Sequence, residues 1–186
     1  MNETFDVAVV VGSLRRDSFT RRLAHALAGV SPPSLQLDLV PLQELTLYNQ
    51  DEEGDPPPAW RAFRERIKRA DAVLFATPEY NRSVPGVLKN AIDIGSRPSG
   101  HSVWGGKPAA VISASPGAMG AFGANHHLRQ ALVFLDMPTL QQPEAYIGGV
   151  DKLVDGNYRF LNEGTRNHCA KVMAAFEAWI RRNARM

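Results

Sequence analysis

Cysteine is almost absent from this chain, neither sign of charge is in marked excess, and there is no long apolar run. Cys169 is the single cysteine, which excludes an intramolecular disulfide. It lies beside Ala170 and Val172 on an apolar helical face, so an inert buried thiol is expected. Lys+Arg total 21 against Asp+Glu 19, a formal net charge of +2, and no basic stripe marks a nucleic-acid surface. The longest basic cluster, Arg181-Arg182, falls at the end of a predicted helix, where positive charge complements the macrodipole. The first apolar run, Val7–Val11, falls far short of the ~20 residues a bilayer-crossing helix needs. The N-terminal stretch also lacks the charged region, apolar region and cleavage site of a secretory signal. A cytoplasmic protein without a membrane or nucleic-acid partner is therefore expected. No repeat, low-complexity segment or linker divides the 186 residues, which predicts a single domain over 1–186.

Several catalytic signatures are missing too. No Gly-Lys-Ser/Thr ending completes a Walker loop, and Gly-x-Gly-x-x-Gly does not occur after the first strand. No Gly-x-Ser-x-Gly elbow supports a nucleophilic triad. No acidic pair follows the first strand, as a receiver domain would require. His126 and His127 are adjacent, so on a helix they point about 100° apart and do not share a face. A metal site is not expected there.

What is present is an alternation of strands and helices. Phe5–Gly12 is a β-branched apolar run, as expected of a central parallel strand covered on both faces. Arg16–Gly29 reads as a helix, Leu35–Val40 as an alternating strand nearer the edge, and 46–58 as a long acidic, proline-rich loop. Ala59–Ala70 is predicted helical, Asp71–Ala76 a third strand, Val84–Ser96 a helix and Pro108–Ala114 a fourth strand. A helix over Gly123–Phe134 follows, then a short strand near Thr139–Gln141 that could extend to 145–147, and a closing helix over Asn162–Asn183. Such alternation predicts an α/β fold, a parallel sheet between two helical layers. Five strands fit the order 2-1-3-4-5 better than a six-stranded dinucleotide fold.

In that order the ends of strands one, three and four lie side by side at the topological switch point, where open α/β sheets bind ligands. The three loops most enriched in Gly, Ser and Pro leave those ends. Gly12–Thr20 offers the hydroxyls of Ser13, Ser18 and Thr20, the guanidinium groups of Arg15 and Arg16, and a helix start. A phosphate monoester, with about −1.5 to −2 charges, suits such a donor set. The same residues could instead cap the helix, through Ser13 or Asp17, and leave the arginines in water. Pro78-Glu79-Tyr80-Asn81 combines a turn, a carboxylate, an aromatic face and an amide, which suits a flat heterocycle with hydrogen-bonding edges. Tyr80 could equally anchor its own turn, and Glu79 could act as a capping acid. Ser113–Gly120 is rich in glycine, which lets a backbone approach a planar ligand, or simply serves a flexible turn.

Together, Gly-Ser-Leu-Arg-x-x-Ser at 12–18 and Pro-Glu-Tyr-Asn at 78–81 closely resemble the flavin-contacting loops of the NAD(P)H-dependent FMN reductases. That flavodoxin-like family includes chromate and quinone reductases, and the resemblance covers roughly residues 5–147. It implies a flavodoxin-like three-layer sandwich with bound FMN and NAD(P)H as co-substrate. It places Ser13, Arg15, Ser18 and Thr20 on the FMN phosphate. Pro78, Glu79, Tyr80 and Asn81 are implied at the isoalloxazine ring, with the backbone N–H groups of 79–81 towards its pyrimidine side. Ser115, Gly117 and Gly120 are candidates for the ring edge and ribityl chain. The family's subunit contacts imply a homodimer or homotetramer, with Lys89-Asn90 serving the interface. The apolar face of Val84, Val87, Leu88, Ala91 and Ile92 suggests the same contact, or else packs only on the sheet. Thr20 stands where the family often carries Asn, and Ala121-Phe122-Gly123 replaces a segment that usually contains Arg. The implied chemistry is ping-pong hydride transfer from NAD(P)H to flavin and on to a small-molecule acceptor: a quinone, free flavin, an azo compound or chromate. No side chain need act as acid or base in the hydride step. An FMN electron carrier and a non-enzymatic ligand sensor are the alternatives on the same sheet.

Overall fold

The structure, a computed structural model, describes residues 3–183. β1 (Phe5–Val11), β3 (Ala72–Thr77) and β4 (Ala109–Ser115) form the middle of a parallel sheet. β2 (Leu35–Val40) and β5 (Tyr146–Gly148) form its edges, giving the order β2-β1-β3-β4-β5. Every residue of β3 is buried, because both faces are covered, whereas β2 exposes Gln36 and Asp38.

The period-2 alternation of the strands divides the core between two layers. Val7, Val9, Leu74 and Ile112 pack against α1 (Phe19–Ala28) and α5 (Glu163–Asn183). Ala8, Val10, Val73, Phe75 and Val111 pack on the other face. There they meet α2 (Pro58–Arg69), α3 (Gly86–Ser96) and α4 (Phe122–Phe134). The three-layer sandwich expected from the sequence is present.

Four details differ. α1 begins at Phe19, not Arg16: Ser18 is extended and accepts the Arg21 N–H, so residues 14–17 remain in the loop. Thr139 forms only an isolated bridge to Ala109, and β5 is confined to three residues. Pro138 and Pro143 flank that segment and lack donors for a continuous ladder. Within 46–58, Gln50–Glu52 is a short 3₁₀ turn, and the residues just before it are pinned from α3 by Asn90. The Asn90 side chain accepts the Tyr48 N–H at 2.7 Å and donates to the Thr46 carbonyl at 2.9 Å. It is therefore an internal clamp, in place of the subunit contact expected of it.

The apolar face of α3 is the fourth correction. Leu88, Ala91 and Ile92 are buried in the chain's own core, so most of that face packs on the sheet, while Val84 and Val87 stay half-buried and Val84 and Ile92 line a groove towards α4. Glu53 accepts from Arg97 and from Tyr48 Oη, each at 2.7 Å, and ties the 46–58 segment to the end of α3. These bonds, Arg97 first, hold its carboxyl below the usual carboxylate range. Cys169 is buried as expected, and burial pushes its thiol up to about 12.

Candidate active site

All three loops leave the carboxyl ends of adjacent strands, β1, β3 and β4, as the strand order requires. Gly12 N–H donates to the Ala76 carbonyl at 2.8 Å, which joins the first loop to the root of the second. Ser13, Ser18 and Thr20 are all at most 3% exposed. The hydroxyls of Ser13 and Thr20 make no hydrogen bond among the described residues. Ser18 Oγ takes only the Arg21 N–H, so the amides of Phe19 and Thr20 at the head of α1 have no acceptor there. Two hydroxyls and two helix-start amides in one loop thus have no acceptor among the described residues. Arg15 lies over the Phe19 ring at 5.6 Å, with Arg22 at 5.5 Å.

The second loop is shaped by a tight turn. Tyr80 and Ser83 exchange both backbone hydrogen bonds, each 3.1 Å, and Asn81 and Arg82 between them have φ of 51° and 64°. Two successive positive φ values give a turn of the I′ kind, which Asn suits better than Arg. The Tyr80 N–H is thus engaged in the turn, which removes one of the three amides expected at a flavin edge. Those of Glu79 and Asn81 have no acceptor among the described residues. The Tyr80 ring is 46% exposed, and Pro78 follows Thr77, whose hydroxyl donates to the Pro78 carbonyl.

Glu79 takes the capping role that the sequence left open, but for a distant helix. Its Oε2 accepts the Ala124 N–H at 2.9 Å, and Oε1 lies 3.5 Å from Arg82. α4 needs this help because its own N-cap, Ala121, is left-handed and carries no capping oxygen. Gly123 makes room: a Cβ there would meet Glu79 Oε2 at 2.9 Å and the Arg82 carbonyl at 3.0 Å. The Ala121-Phe122-Gly123 departure thereby acquires a structural reason.

The third loop is wedged against β5. Gly120 has φ 58°, and a Cβ there would stand 2.6 Å from the Tyr146 backbone. Its carbonyl accepts from Ser113 Oγ at 2.8 Å, which in turn accepts from Asn125 Nδ2 at 3.1 Å. Arg129 Nε then donates to Asn125 Oδ1 at 2.9 Å, and its Nη1 to the Leu140 carbonyl at 2.8 Å. Ser113 and Asn125 are fully buried. Sequence reading missed this chain because Ser113, Asn125 and Arg129 come from a strand and a helix whose register only the fold supplies. Ser115 Oγ donates to the Gly117 carbonyl at 3.0 Å and shapes the turn.

A family model described as NADPH-dependent FMN reductase matches residues 5–152. The chain belongs to that family. As an FMN reductase-type oxidoreductase it has FMN as cofactor and NAD(P)H as co-substrate. It is 56% identical to a quinone reductase of Pseudomonas putida over 184 residues, 98% of each chain. It is 50% identical to a 2-hydroxy-1,4-benzoquinone reductase of a Burkholderia species over 94% of this chain and 96% of that one. Among solved structures, a flavoenzyme NAD(P)H:(acceptor) oxidoreductase of Paracoccus denitrificans superposes with a TM-score of 0.93 at 38% identity. That match covers 98% of this chain and all of the other. Among the described residues of this FMN reductase family member, no helix is long and apolar enough to cross a membrane.

Proposed function

We propose that this flavoenzyme passes electrons from NAD(P)H through FMN to quinones by a ping-pong mechanism in the cytoplasm. Free flavin, azo compounds and chromate are further acceptors in this reading. The observation that carries it is the donor set of Ser13, Thr20 and the first amides of α1, which no protein acceptor takes up, at one sheet edge with two further loops.

FMN fits that donor set, because a phosphate supplies the acceptor oxygens that the hydroxyls and amides lack. Ser13, Ser18, Thr20 and Arg15 would hold it, with Arg15 released from the Phe19 ring or bridging from it. Pro78, Tyr80 and the free amides of Glu79 and Asn81 would border the ring. The Glu79 side chain acts one step removed, by fixing the loop to α4. Ser115, Gly117 and Gly120 would line the opposite edge, held by the Ser113–Asn125–Arg129 chain. Bound FMN supplies two-electron chemistry, taking hydride from the nicotinamide and returning it to the acceptor. The protein binds, orients and excludes water, and no side chain serves as acid or base in the hydride step. The near-neutral net charge of +2 weighs against an electron carrier, since such carriers are commonly acidic.

We also infer that the chain is one domain that assembles as a homodimer or homotetramer. With most of the α3 apolar face turned to the sheet, the groove between its edge and the end of α4 is the candidate contact. Phe134 is 89% exposed and lines a groove of about 630 Å³ between α3 and α4. A patch with both a protruding ring and a groove meets the self-complementarity of a two-fold contact.

The deciding experiment is the visible spectrum of the purified protein, followed by anaerobic NAD(P)H and then a quinone. A yellow protein that is bleached by NAD(P)H and restored by the quinone, with parallel double-reciprocal plots, is expected. Bleaching by dithionite but by neither nicotinamide would refute the reductase reading.

A further inference from the structure

Two guanidinium groups share one ring at the head of α1, and the account so far gives a role to only one of them. Arg15, in the first loop, lies 5.6 Å from the centroid of the Phe19 ring, and Arg22, one turn into the helix, lies 5.5 Å from it. Arg22 meets Asp17 only loosely, at 3.8 Å, and Arg15 has no ion pair or hydrogen bond among the described residues. Two like charges at one ring repel each other. Asp17, its side chain 75% exposed to water, offsets that repulsion weakly.

A guanidinium held by an aromatic ring differs from one held in an ion pair. The ring draws the charge through the negative face of its quadrupole and offers no lone pair, so the N–H donors stay available. A carboxylate engages those same donors and leaves fewer for a ligand. Phe19 therefore fixes two cations without consuming what they would donate. Of the other arginines in this stretch, Arg21 donates to the Ser13 carbonyl at 3.4 Å, and Arg16 is exposed.

The backbone fixes where this ring stands. Phe19 is the first residue of α1, directly after the Ser18 cap, and its side chain is half-buried against the core layer shared with α5. It gathers Arg15 and Arg22 at the helix end that also carries the hydroxyls of Ser13 and Thr20 and two amides without an acceptor. The charges match as well. Two guanidinium groups meet the roughly −1.5 to −2 charges of a phosphate monoester, and the positive end of the helix dipole adds to them.

We propose that Arg22 is a second cation of the FMN phosphate site, and that Phe19 is the positioning residue that holds Arg15 and Arg22 ready for it. The phosphate replaces Asp17 as the partner of Arg22. The inference rests on the phosphate placement given above and extends it to two residues outside the loop motif.

The test compares FMN and riboflavin binding to the apoprotein, followed by flavin fluorescence, in wild type, Phe19→Leu, Phe19→Tyr and Arg22→Gln. Leucine keeps an apolar side chain at the position and removes the π face, whereas tyrosine keeps both. FMN affinity should fall about fivefold in Phe19→Leu and about tenfold in Arg22→Gln, with riboflavin affinity unchanged and Phe19→Tyr close to wild type. The loss from Phe19→Leu should vanish in a background of Arg15→Gln and Arg22→Gln, where neither guanidinium remains for the ring to hold. Added salt should weaken FMN binding less in Arg22→Gln than in wild type. In the holoenzymes the ratio of KM for NADPH to KM for NADH should not move. Equal losses for FMN and riboflavin, a Phe19→Leu loss that persists without the two arginines, or a Phe19→Tyr protein no better than Phe19→Leu would each overturn the positioning role. Unchanged FMN affinity in Arg22→Gln would overturn the second cation. A loss confined to NADPH turnover would do the same, by moving Arg22 to the 2′-phosphate of that co-substrate. Failure of the phosphate placement shows itself separately, as wild-type protein that binds riboflavin as tightly as FMN, and it would overturn the inference as well.

Discussion

The contact between Glu79 and the head of α4 can be tested as a thermodynamic cycle. Glu79→Ala removes a charge-assisted hydrogen bond to the Ala124 N–H, worth about 1.5–3 kcal/mol. It also removes a negative charge from a helix N-terminus, worth about 0.3–1 kcal/mol. The expected loss is about 2–4 kcal/mol, or roughly 4–16 °C in Tm for a chain of this size. Glu79→Gln keeps an acceptor oxygen and loses only the charge, so it should cost about 1 kcal/mol. Gly123→Ala alone must displace the carboxylate at 2.9 Å, an overpacking cost of about 1–3 kcal/mol. Offset against it is about 0.5–1 kcal/mol of helix propensity. In the Glu79→Ala background the carboxylate is gone and only the Arg82 carbonyl at 3.0 Å must yield, so Gly123→Ala should become nearly neutral. The two substitutions should therefore couple by about 1–2 kcal/mol, well beyond the ~0.5 kcal/mol scatter of independent sites. Urea titrations of the four apoproteins, with m unchanged, measure each corner. Additive losses, or Glu79→Gln as costly as Glu79→Ala, would refute the capping argument.

Three further outcomes are expected. Thr20→Val should weaken FMN by about 1.5–3 kcal/mol, or roughly 10- to 150-fold, and leave riboflavin binding unchanged; equal losses in a fluorescence titration would remove Thr20 from the phosphate site. Glu53 has a depressed folded-state pKa, so its stabilisation is present above its ordinary value near 4.5 and is lost as pH falls through the lower folded value. Wild type and Glu53→Gln should accordingly differ in Tm at pH 7 and converge under more acidic conditions. Phe134→Glu should shift light scattering towards monomer, while a side chain 89% exposed in the single chain leaves monomer stability within about 0.5 kcal/mol.

The fold was legible because its signals are periodic. The apolar runs at 7–11 and 72–76 are short and bounded, as strands of a doubly covered sheet are, and the spacing of Leu23 and Leu27 or Phe63 and Ile67 is helical. Boundaries were less legible where polar side chains decide them. Arg16 and Asp17 continue a helical pattern, and only the extended backbone at Ser18 shows where α1 starts. The candidate loops were visible from composition and strand order, but the work of single atoms within them was not. Glu79 reads as a ligand contact or a local cap, and nothing local announces a partner 45 residues on. The apolar stripe of α3 could be a subunit contact or a sheet-facing side, because sequence cannot say which side of a helix the sheet takes. Asn90 on the same helix was misread for that reason.

The polar chain from Gly120 through Ser113, Asn125 and Arg129 to Leu140 has a consequence for remodelling the molecule. Apolar surfaces are tolerant of sliding: a helix displaced by a turn still finds oil-like neighbours. Hydrogen bonds inside a dry interior are not tolerant, because a shifted donor meets carbon and leaves its old partner bare. Three polar residues thus work as an indexing pin that sets the axial position of α4 and, through it, the height of the Gly117–Gly120 turn. The outward side of that helix can then be rewritten, for a new partner or a tether to a solid support, without disturbing the turn's alignment. Altering the pin while keeping every apolar contact would leave a folded protein whose turn no longer has one fixed height.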